Sequence, residues 1–509
     1  MNPKEILNLL SVGEIRVRFA PSPTGHLHIG GARAALFNYL FAKKNKGIFV
    51  LRIEDTDKER SSPEFEKDIT ESLKWLGIHW DEGPKNSQDI GNYGPYRQSK
   101  RKVYEGYVEK LLEEDKAYYC FCSPEEIEAE RQYLMARGRA PKYSGKCSKL
   151  NREEIQEKLK SSSNRVIRLR SPIKKIKFKD IIRQEVEFDS EIMGDMVIAK
   201  DSQTPLYNLA VVIDDYEMKI SHIIRGEEHI SNTPKQILIA EALNIPIPIY
   251  AHLPLVLATD RSKLSKRHGS VSVIEYQKQG YLPEALVNFL SLLGWNPGTD
   301  REIYSMNSLI KDFSLEKVQK SGAVFNVNKL DFINGFYIRQ KNIDDLTQLC
   351  IPYLAGAGLI VEEEMGKYRI GDSGEETSFE FIRRVIFLHQ ERMKKLSEIS
   401  EFADFFFKKE IEYETDLLIW KNSTREETLN SLDKIQNILS EIDSWAKEEI
   451  ERKVAAAAEK IGDRGKIFWP LRTALTGKRD SAGPIEVAEI MGKEKCLKRI
   501  GQAIKKIKE

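Results

Sequence analysis

The sequence predicts an α/β fold class, in which a doubly wound sheet is interrupted by an inserted α+β domain and followed by an all-α C-terminal region. Three observations predict it. A strand, turn, helix, strand pattern occupies residues 15–55, a charged stretch with short alternating strands spans 118–205, and amphipathic helical patterns dominate beyond about residue 280. A strand, helix, strand series of this length predicts a right-handed parallel unit.

The two halves of the sheet lie on either side of the insertion. Residues 15–20 and 47–55 are predicted as buried strands, with a turn and a helix between them. Parallel strands are expected to resume at 209–215, 220–230 and 250–257. The insertion is therefore expected to split one α/β domain in two.

The inserted segment and the C-terminal region have different patterns. The insertion contains the alternating strands VIRLR and VEFDS, which are expected to form a small sheet of their own. Beyond residue 280 strand signals nearly vanish, and the tract GDSGEETS near Gly371 is expected to be a polar linker.

The composition excludes several classes of protein. Of the 509 residues, 41% are hydrophobic and 31% charged, which excludes a disordered tail and a fibrous repeat. Lys and Arg total 80 against 78 for Asp and Glu, so a polyanion would need a local basic face. Apolar stretches fall short of the roughly 20 residues that span a bilayer. No apolar signal segment follows Met1, so no membrane partner and a cytoplasmic location are expected.

A glycine-rich turn at residues 21–31, PSPTGHLHIGG, separates the first strand from the first helix. Glycine lets backbone approach a phosphate closely, and a helix N-terminus supplies free N–H groups and a partial positive charge. His26 and His28 could donate hydrogen bonds to phosphate oxygens. The turn is neither a P-loop nor a dinucleotide fingerprint. By itself it fits a phosphate site and a simple chain reversal about equally well.

A basic cluster, DRSKLSKRHGS at residues 260–270, follows the last predicted strand. Lys263 and Lys266 are three residues apart and suit a pyrophosphate whose charge grows as it leaves. A basic loop alone is more often a solvated surface. Its position after a Gly-His turn and a parallel sheet favours the phosphate interpretation.

These two clusters resemble the paired signatures of one enzyme class. PSPTGHLHIGG resembles the HIGH signature, and KLSKR the KMSKS signature, of class I aminoacyl-tRNA synthetases. The chain is similar to the glutamyl-tRNA synthetase family from about Glu14 to the C-terminus. Gly31 at the fourth HIGH position and Arg267 at the end of KLSKR resemble the bacterial branch. The further segments that carry the resemblance are RFAPSPTG, LRIEDTDKER, GPYRQSKR, PLYNLAVVIDD, HIIRGEEHI and KIFWPLRTALTG.

The resemblance implies an architecture and a reaction. A Rossmann-like catalytic domain would occupy 14–117 and 206–260, an acceptor-binding insertion 118–205, a helical connector with the KLSKR loop 261–340, and an all-α anticodon-binding region 341–509. The α-carboxylate of L-glutamate would attack the α-phosphate of ATP, giving glutamyl adenylate and pyrophosphate. The terminal adenosine of the glutamate tRNA would then take the glutamyl group and release AMP. Mg²⁺ would accompany ATP, and no protein nucleophile is needed.

The resemblance also implies which residues bind the nucleotide. His28, Lys263 and Lys266 correspond to the catalytic signature residues. The implied ATP contacts are His28, Gly30, Gly31, Glu228, Leu255, Val256, Lys263 and Lys266.

Glutamate presents one ammonium and two carboxylates, so its pocket needs an acidic group and a bidentate guanidinium. By resemblance Glu54 takes the ammonium, although without that context it fits a capping or surface carboxylate. A guanidinium has donors only, which makes Arg225 the candidate for rejecting glutamine. Val211 stands where some relatives have Asn, so that contact is lost or made by Asn208 or water. The implied glutamate contacts are Arg18, Ala20, Ser22, Glu54, Tyr207 and Arg225.

Three cysteines in the insertion have metal-ligand spacing. Cys120, Cys122 and Cys147 fit three corners of a tetrahedral Zn²⁺ site that would stabilise a small subdomain, and buried free thiols are the alternative. The resemblance implies Tyr143 as the fourth ligand, with water as an alternative. The odd total of five cysteines indicates reduced thiols, not a disulfide framework.

The implied partners are ATP, L-glutamate and the glutamate tRNA, and the resemblance suggests a monomer. Other functions are a non-discriminating enzyme that also charges the glutamine tRNA, and a catalytically idle tRNA-binding protein. A glutaminyl-tRNA synthetase would carry β-barrel anticodon domains, and a glutamyl-queuosine transferase would lack an anticodon domain. A basic C-terminal surface is expected to bind tRNA phosphates or to act as a solubilising tail. Its residues are Lys478, Arg479, Lys493, Lys495, Lys498, Arg499, Lys505, Lys506 and Lys508.

Overall fold

The computed structural model describes residues 15–57, 59–85, 88–162, 164–265, 267, 272–364 and 366–509. Contacts within the chain define two compact units. The first comprises the chain up to Tyr276 together with Leu286–Val327, and the second comprises Gln277–Ala285 together with Asn328–Glu509. The finer division into five segments stays a prediction.

Strands and helices alternate along the first unit. Its strands are β1 (Arg16–Phe19), β2 (Ile48–Leu51), β3 (Gly83–Lys85), β4 (Gln88–Ile90), β5 (Ala117–Cys120), β6 (Val166–Leu169), β7 (Lys175–Asp180), β8 (Gln184–Asp189), β9 (Val197–Ala199), β10 (His222–Gly226), β11 (Ile249–Leu253), β12 (Val256–Leu257) and β13 (Ala323–Val324). Its helices are α1 (Ile29–Lys44), α2 (Pro63–Trp75), α3 (Tyr104–Glu113), α4 (Pro124–Ala136), α5 (Arg152–Ser161), α6 (Tyr207–Glu217) and α7 (Thr233–Leu243). Helices α8 (Val273–Lys278) and α9 (Pro283–Leu292) each have residues in both units, and α10 (Met306–Asp312) lies in the first.

A six-stranded sheet forms the centre of the first unit, in the order β2-β1-β10-β11-β7-β8. The first five of these strands are parallel, and β8 runs antiparallel to β7. β1 lies between β2 and β10, so the strand order reverses at β1. In open α/β sheets ligands bind at the carboxyl ends of the strands beside such a reversal. The topology therefore places the expected site next to β1 and β10.

The segment 209–215 was predicted as a parallel strand, and this prediction was wrong because it lies in helix α6. Every residue from Leu209 to Asp215 is buried. A helix that is buried on all sides has no polar face, so its short apolar run cannot be distinguished from a buried strand by periodicity. Strand β10 lies within the predicted segment 220–230, and β11, which begins one residue earlier than predicted, overlaps the segment 250–257.

The strands of the insertion divide between two sheets. β5, β6 and β9 form a three-stranded antiparallel sheet that includes VIRLR. The hairpin β7–β8, which includes VEFDS, instead extends the central sheet, with Asp180 opposite Tyr250 of β11. The expectation of one separate small sheet was wrong, because alternation shows that a segment is a strand but does not show which strand it pairs with. The hairpin consequently brings Asp180 close to the centre of the unit.

Helix α1 begins at the glycine-rich turn. The Nδ1 atom of His28 accepts a hydrogen bond from the Gly30 N–H at 3.0 Å and so caps the helix. Its apolar residues, among them Leu36 and Leu40, are fully buried. Lys43 and Lys44 occupy the last turn, where positive charge is favourable. Capping and burial together fix the N-terminus of α1 beside the carboxyl end of β1.

The second unit is mostly helical, which confirms the prediction for the C-terminal region. A small antiparallel sheet, β14 (Ile360–Glu364), β15 (Lys367–Ile370) and β16 (Glu376–Thr377), was not predicted, and β16 lies in the expected polar linker. Its strands are largely exposed and so lack a clear hydrophobic alternation. The helices are α11 (Val327–Gln340), α12 (Ile343–Gly356), α13 (Phe379–His389), α14 (Ile399–Phe402), α15 (Asp404–Phe407), α16 (Arg425–Ser440), α17 (Lys447–Ile461), α18 (Gly465–Thr476), α19 (Pro484–Met491) and α20 (Lys493–Lys508).

In the part of the chain that the structure describes, no helix has the length and apolarity needed to cross a membrane.

Candidate active site

A cavity of about 540 Å³ opens at the carboxyl ends of β1 and β10, beside the N-terminus of α1. Its position matches the reversal of strand order. Every predicted ATP or glutamate contact that the structure describes lines it, whereas Lys266 lies outside the described residues. The predicted residues that line the cavity are Arg18, Ala20, Ser22, His28, Gly30, Gly31, Glu54, Tyr207, Arg225, Glu228, Leu255, Val256 and Lys263.

The glycine-rich turn supplies one wall. Burial, followed by the positive charge of Lys263, lowers the pKa of His28, so its ring is neutral near pH 7. The Nδ1 atom caps α1, which leaves Nε2 as the ring atom able to donate to a ligand. His26 instead lies at the rim, half exposed, with its Nδ1 atom 3.2 Å from Asp68. Of the two histidines, His28 is the one fixed by the helix.

The start of the basic cluster is anchored to β12. The Leu264 N–H donates to the Val256 carbonyl, and Leu264 is buried. Lys263 is exposed beside it and lines the cavity. The N–H of Leu255 donates to Glu227 at 2.9 Å, so this donor is not available to an adenine base.

Arg225 on β10 is 6% exposed, and three of its five N–H groups are hydrogen-bonded. Its Nη2 atom donates to the Thr233 hydroxyl at 2.8 Å and to the Gln236 side-chain carbonyl at 2.9 Å. Its Nε atom donates to Nε2 of His252 at 3.3 Å. The buried Nη1 atom has no hydrogen-bond partner among the described residues. The cavity therefore contains a fixed cationic fork with two unused donors.

A buried ionic network holds the other predicted glutamate contacts. Arg18 donates from Nε and Nη2 to Asp215, at 3.0 and 3.3 Å. Arg52, which is fully buried, donates to Asp215 at 2.7 Å and to Glu54 at 3.0 Å. Burial raises the pKa of Glu54, and the positive charges of Arg52 and Arg18 offset part of that effect. Glu54 is thus a buried carboxylate in the cavity wall, not a cap or a surface group.

The open question at Val211 is answered in part by the hydrogen bonds around Gln236. Val211 is buried in α6 and offers no polar atom. The side-chain oxygen of Asn208 accepts a hydrogen bond from Gln236 at 3.1 Å. Because Gln236 also binds Arg225, Asn208 fixes the orientation of the amide that holds the guanidinium.

Several residues around the cavity were not predicted. Arg52 and Asp215 lie in quoted segments but received no role. Arg33 of α1 lines the cavity and donates to the carbonyls of Pro254 and Leu293. Burial lowers the pKa of Arg33 to about 10. His252 and Asp180, which carry no recognisable local signal, meet behind Arg225 only because β7 pairs with β11.

The three predicted cysteine ligands come together in the insertion. The Sγ atoms of Cys120, Cys122 and Cys147 lie within 4.8 Å of one another, and those of Cys122 and Cys147 are 3.6 Å apart. The hydroxyl of Tyr143 is 3.5 Å from the sulfur of Cys120 and 3.4 Å from that of Cys122. The donor set of three thiols and one phenol oxygen fits the size and ligand preference of a tetrahedral Zn²⁺ site.

The basic residues of the C-terminal segment fall into two groups, so the expectation that all nine form one surface was wrong. Arg499 is 1% exposed and donates to the carbonyls of Leu475, Phe405 and Lys408, each at 2.8 Å. Lys478, Lys493 and Lys495 also donate to main-chain carbonyls. These four side chains join segments of the second unit. The exposed residues that remain for a polyanion are Arg479, Lys498, Lys505 and Lys508, with Lys506 half-buried.

Comparison with known proteins defines the class of this fold and site. Residues 14–332 match the catalytic domain of the class I tRNA synthetases for glutamate and glutamine (E and Q), and residues 345–504 match an anticodon binding domain.

Individual relatives narrow the class. The chain is 47% identical to glutamate–tRNA ligase 1 of Caldicellulosiruptor saccharolyticus, over 96% of this chain and 98% of the relative. It is also 47% identical to glutamate–tRNA ligase of Carboxydothermus hydrogenoformans, over 96% and 99%. A crystal structure of a glutamate tRNA ligase from Elizabethkingia meningosepticum in complex with its amino acid is similar with a TM-score of 0.85 and 35% identity, over 97% of this chain and 100% of that one. The chain belongs to the glutamate–tRNA ligase family, which confirms the predicted resemblance and fold class.

The division of the C-terminal basic residues predicts a difference in stability. Arg499→Met leaves buried carbonyls without a donor and is expected to destabilise the protein by on the order of 3 kcal/mol. Lys498→Met, one residue away on the exposed side, should change stability by less than about 0.5 kcal/mol. Thermal unfolding of both full-length variants measures this, and equal melting temperatures would contradict the structural role of Arg499.

Proposed function

We propose that this protein ligates L-glutamate to the glutamate tRNA through a glutamyl adenylate, and that the cavity beside β1 and β10 binds ATP and glutamate together. The observation that carries the assignment of glutamate is the buried Nη1 group of Arg225, whose two N–H donors face no described acceptor. A free side-chain carboxylate can accept a charge-assisted hydrogen bond from this group. The side-chain amide of glutamine would bring its own N–H groups to it, which leaves buried donors unpaired.

The remaining charges of the cavity fit the rest of the substrate. Two carboxylates line the cavity, and that of Glu54, which lies beside Arg18, is assigned to the α-ammonium, whereas Glu228 is assigned to the nucleotide. Arg18 is assigned to the α-carboxylate. Arg52 and Asp215 hold these two side chains in place. The side chains are therefore oriented before the substrate enters, and binding costs little reorganisation.

The nucleotide would occupy the side of the cavity formed by α1 and β12. His28, Gly30 and Gly31 are assigned to the phosphates, where the neutral ring of His28 donates from Nε2 and the helix N-terminus contributes positive charge. Glu228 and Val256 are assigned to the ribose and adenine, and Leu255, whose N–H is bonded to Glu227, is assigned a packing contact with them. Lys263 is assigned to the leaving pyrophosphate, with Lys266 as its predicted companion. Mg²⁺ bound together with ATP would supply charge neutralisation at the phosphates.

Catalysis then depends on placement. The α-carboxylate of glutamate attacks the α-phosphorus of ATP, the bond to the β-phosphate oxygen breaks, and pyrophosphate leaves with its charge stabilised by lysine. The tRNA hydroxyl next attacks the glutamyl carbonyl and AMP leaves. No side chain forms a covalent bond.

The free thiols of all five cysteines support a reducing, cytoplasmic location, and a monomer is part of the proposal.

The role of Arg225 is testable in aminoacylation. Loss of a hydrogen bond to a charged group, at about 1.5–3 kcal/mol, predicts that Arg225→Lys lowers kcat/KM for glutamate by at least about 10-fold. The glutamate tRNA and the glutamine tRNA are each offered glutamate or glutamine. Arg301→Lys, at an exposed position of the same unit, should retain wild-type activity. Failure of the wild-type protein to charge any tRNA with glutamate would overturn the proposed function.

A metal measurement tests the cysteine cluster. The purified protein should contain about one Zn²⁺ per chain, held by Cys120, Cys122, Tyr143 and Cys147, and Cys147→Ser should lose it. Cys350→Ser removes a buried thiol elsewhere and should retain the metal. Tyr143→Phe separates the two candidates for the fourth ligand. A drop in zinc affinity of at least about 10-fold supports tyrosine, and an unchanged affinity supports water.

The exposed C-terminal lysines are expected to contribute to tRNA binding. The triple variant Lys498→Ala, Lys505→Ala, Lys508→Ala should raise Kd for tRNA and reduce the slope of log K against log salt concentration by about 0.7–0.9 for each lost phosphate contact. A control triple of exposed lysines in the same unit, Lys409→Ala, Lys421→Ala and Lys460→Ala, distinguishes this from a general charge effect. Equal slopes for both triples would contradict a tRNA surface at α20.

A further inference from the structure

The guanidinium of Arg225 is held from behind by residues that have no assigned role. Arg225 of β10 lies opposite His252 of β11 in the sheet. His252 is fully buried, and its Nε2 atom accepts from Arg225 Nε at 3.3 Å and lies 2.9 Å from the Thr233 hydroxyl. Since Thr233 already accepts from Arg225 Nη2, its own proton can be donated to His252. Both neighbours of Nε2 are thus donors.

Asp180 determines which nitrogen of His252 carries the proton. Its Oδ2 atom lies 2.7 Å from Nδ1 of His252 and 3.0 Å from the His252 backbone N–H. Its Oδ1 atom accepts from the backbone N–H groups of Ile182 and Arg183, at 2.9 and 2.7 Å. Three backbone N–H groups donate to the fully buried carboxyl group of Asp180, so it acts as an acceptor, while Nε2 of His252 faces two donors. Nδ1 of His252 must therefore carry the proton, and Nε2 must carry the lone pair.

The lone pair on Nε2 is what the Arg225 contact requires. A proton there would face the N–H of Arg225, donor against donor, and the guanidinium would have to turn. Burial, with the Asp180 hydrogen bond opposing it and the charge of Arg225 adding to it, lowers the pKa of His252 and keeps the ring neutral. Turning Arg225 about its side chain would move Nη1, the atom whose donors are unused, away from its present direction.

We propose that Asp180 and His252 are positioning residues for amino-acid recognition: the carboxylate fixes the tautomer of the imidazole, and the imidazole fixes Arg225 so that Nη1 meets the side-chain carboxylate of glutamate. This inference rests on the proposed role of Arg225 in glutamate binding. It also makes the β7–β8 hairpin part of the amino-acid site, because Asp180 is the last residue of β7.

Two substitutions of His252 separate positioning from packing. In His252→Asn the amide can still pair with Asp180, but no acceptor remains where Nε2 was. In His252→Gln the longer side chain places an amide oxygen near the Nε2 position and keeps an acceptor for Arg225. We expect His252→Asn to raise KM for glutamate at least about 10-fold, with KM for ATP and kcat changed by less than about threefold. His252→Gln should remain within about threefold of the wild type in all three.

Further variants control for the effect of replacing a buried histidine, and they test whether Asp180 and His252 act together. His222→Asn changes a buried histidine on the adjacent strand β10 that does not line the cavity, and should lower the melting temperature without changing KM for glutamate. Asp180→Asn should raise KM for glutamate as His252→Asn does. The double variant should be no worse than either single one, because all three interrupt the same series of contacts.

The outcomes distinguish the positioning role of Asp180 and His252 from the proposed role of Arg225, on which it rests. If Arg225→Lys impairs glutamate use but His252→Asn affects KM for glutamate no more than His222→Asn does, the positioning role is overturned and the role of Arg225 stands. Equal effects of His252→Asn and His252→Gln on KM for glutamate, KM for ATP and kcat would likewise indicate packing alone and overturn it. If Arg225→Lys leaves KM for glutamate unchanged, both fail.

Discussion

Buried guanidinium groups need fixed acceptors, and this requirement organises the first unit around its cavity. Arg18, Arg33, Arg52 and Arg225 are each less than a tenth exposed. A buried charge without a partner costs several kcal/mol, so each of these side chains must meet a carboxylate, a carbonyl or a neutral acceptor. Once the acceptors are in place, the guanidinium groups cannot move freely. A cavity lined by such groups is shaped for an anionic substrate before the substrate arrives.

The four guanidinium groups differ in their hydrogen-bond acceptors, and this difference separates structural from binding roles. Arg52 directs hydrogen bonds to Asp215 and Glu54 and is fully buried. Arg33 uses backbone carbonyls instead. Among these four, Arg225 is the one whose terminal nitrogen is both buried and without a hydrogen-bond partner in the described part of the chain, and the buried atoms without a partner in Arg33 and Arg52 are their Nε atoms. A fixed guanidinium that lines the cavity and keeps an unused terminal nitrogen is the feature that a carboxylate substrate requires. In the second unit Arg499 follows the structural pattern and binds only carbonyl oxygens.

The proposed reaction needs no protein nucleophile. The residues of the cavity instead hold the substrates in position. The capped start of α1 and the neutral His28 face the region assigned to phosphate, and Lys263 lines the same cavity. The ionic network below fixes two further side chains. Adenylate formation develops negative charge on phosphate oxygens, and transfer to tRNA develops it on the glutamyl carbonyl oxygen and on the departing AMP phosphate. Oriented donors and cations therefore account for the proposed chemistry without a covalent bond to the protein.

The sequence by itself determined the family, the fold class and nearly all of the cavity wall. The two signature clusters are local, so the residues His28, Gly30 and Lys263 were recognisable from short motifs, and the cysteine spacing likewise indicated a cluster that the fold brings together. The features that only the tertiary structure shows depend on contacts between distant segments of the chain. Residues 209–215 are all buried, so their sequence pattern does not distinguish a strand from a helix. The tertiary structure shows that they lie in α6. Asp180 and His252 meet because β7 pairs with β11, and Arg499 is buried while Lys498 beside it is exposed because of how α20 packs. Local pattern encodes element type and signature chemistry, whereas the partner of each buried polar group is decided by contacts between residues far apart in the chain.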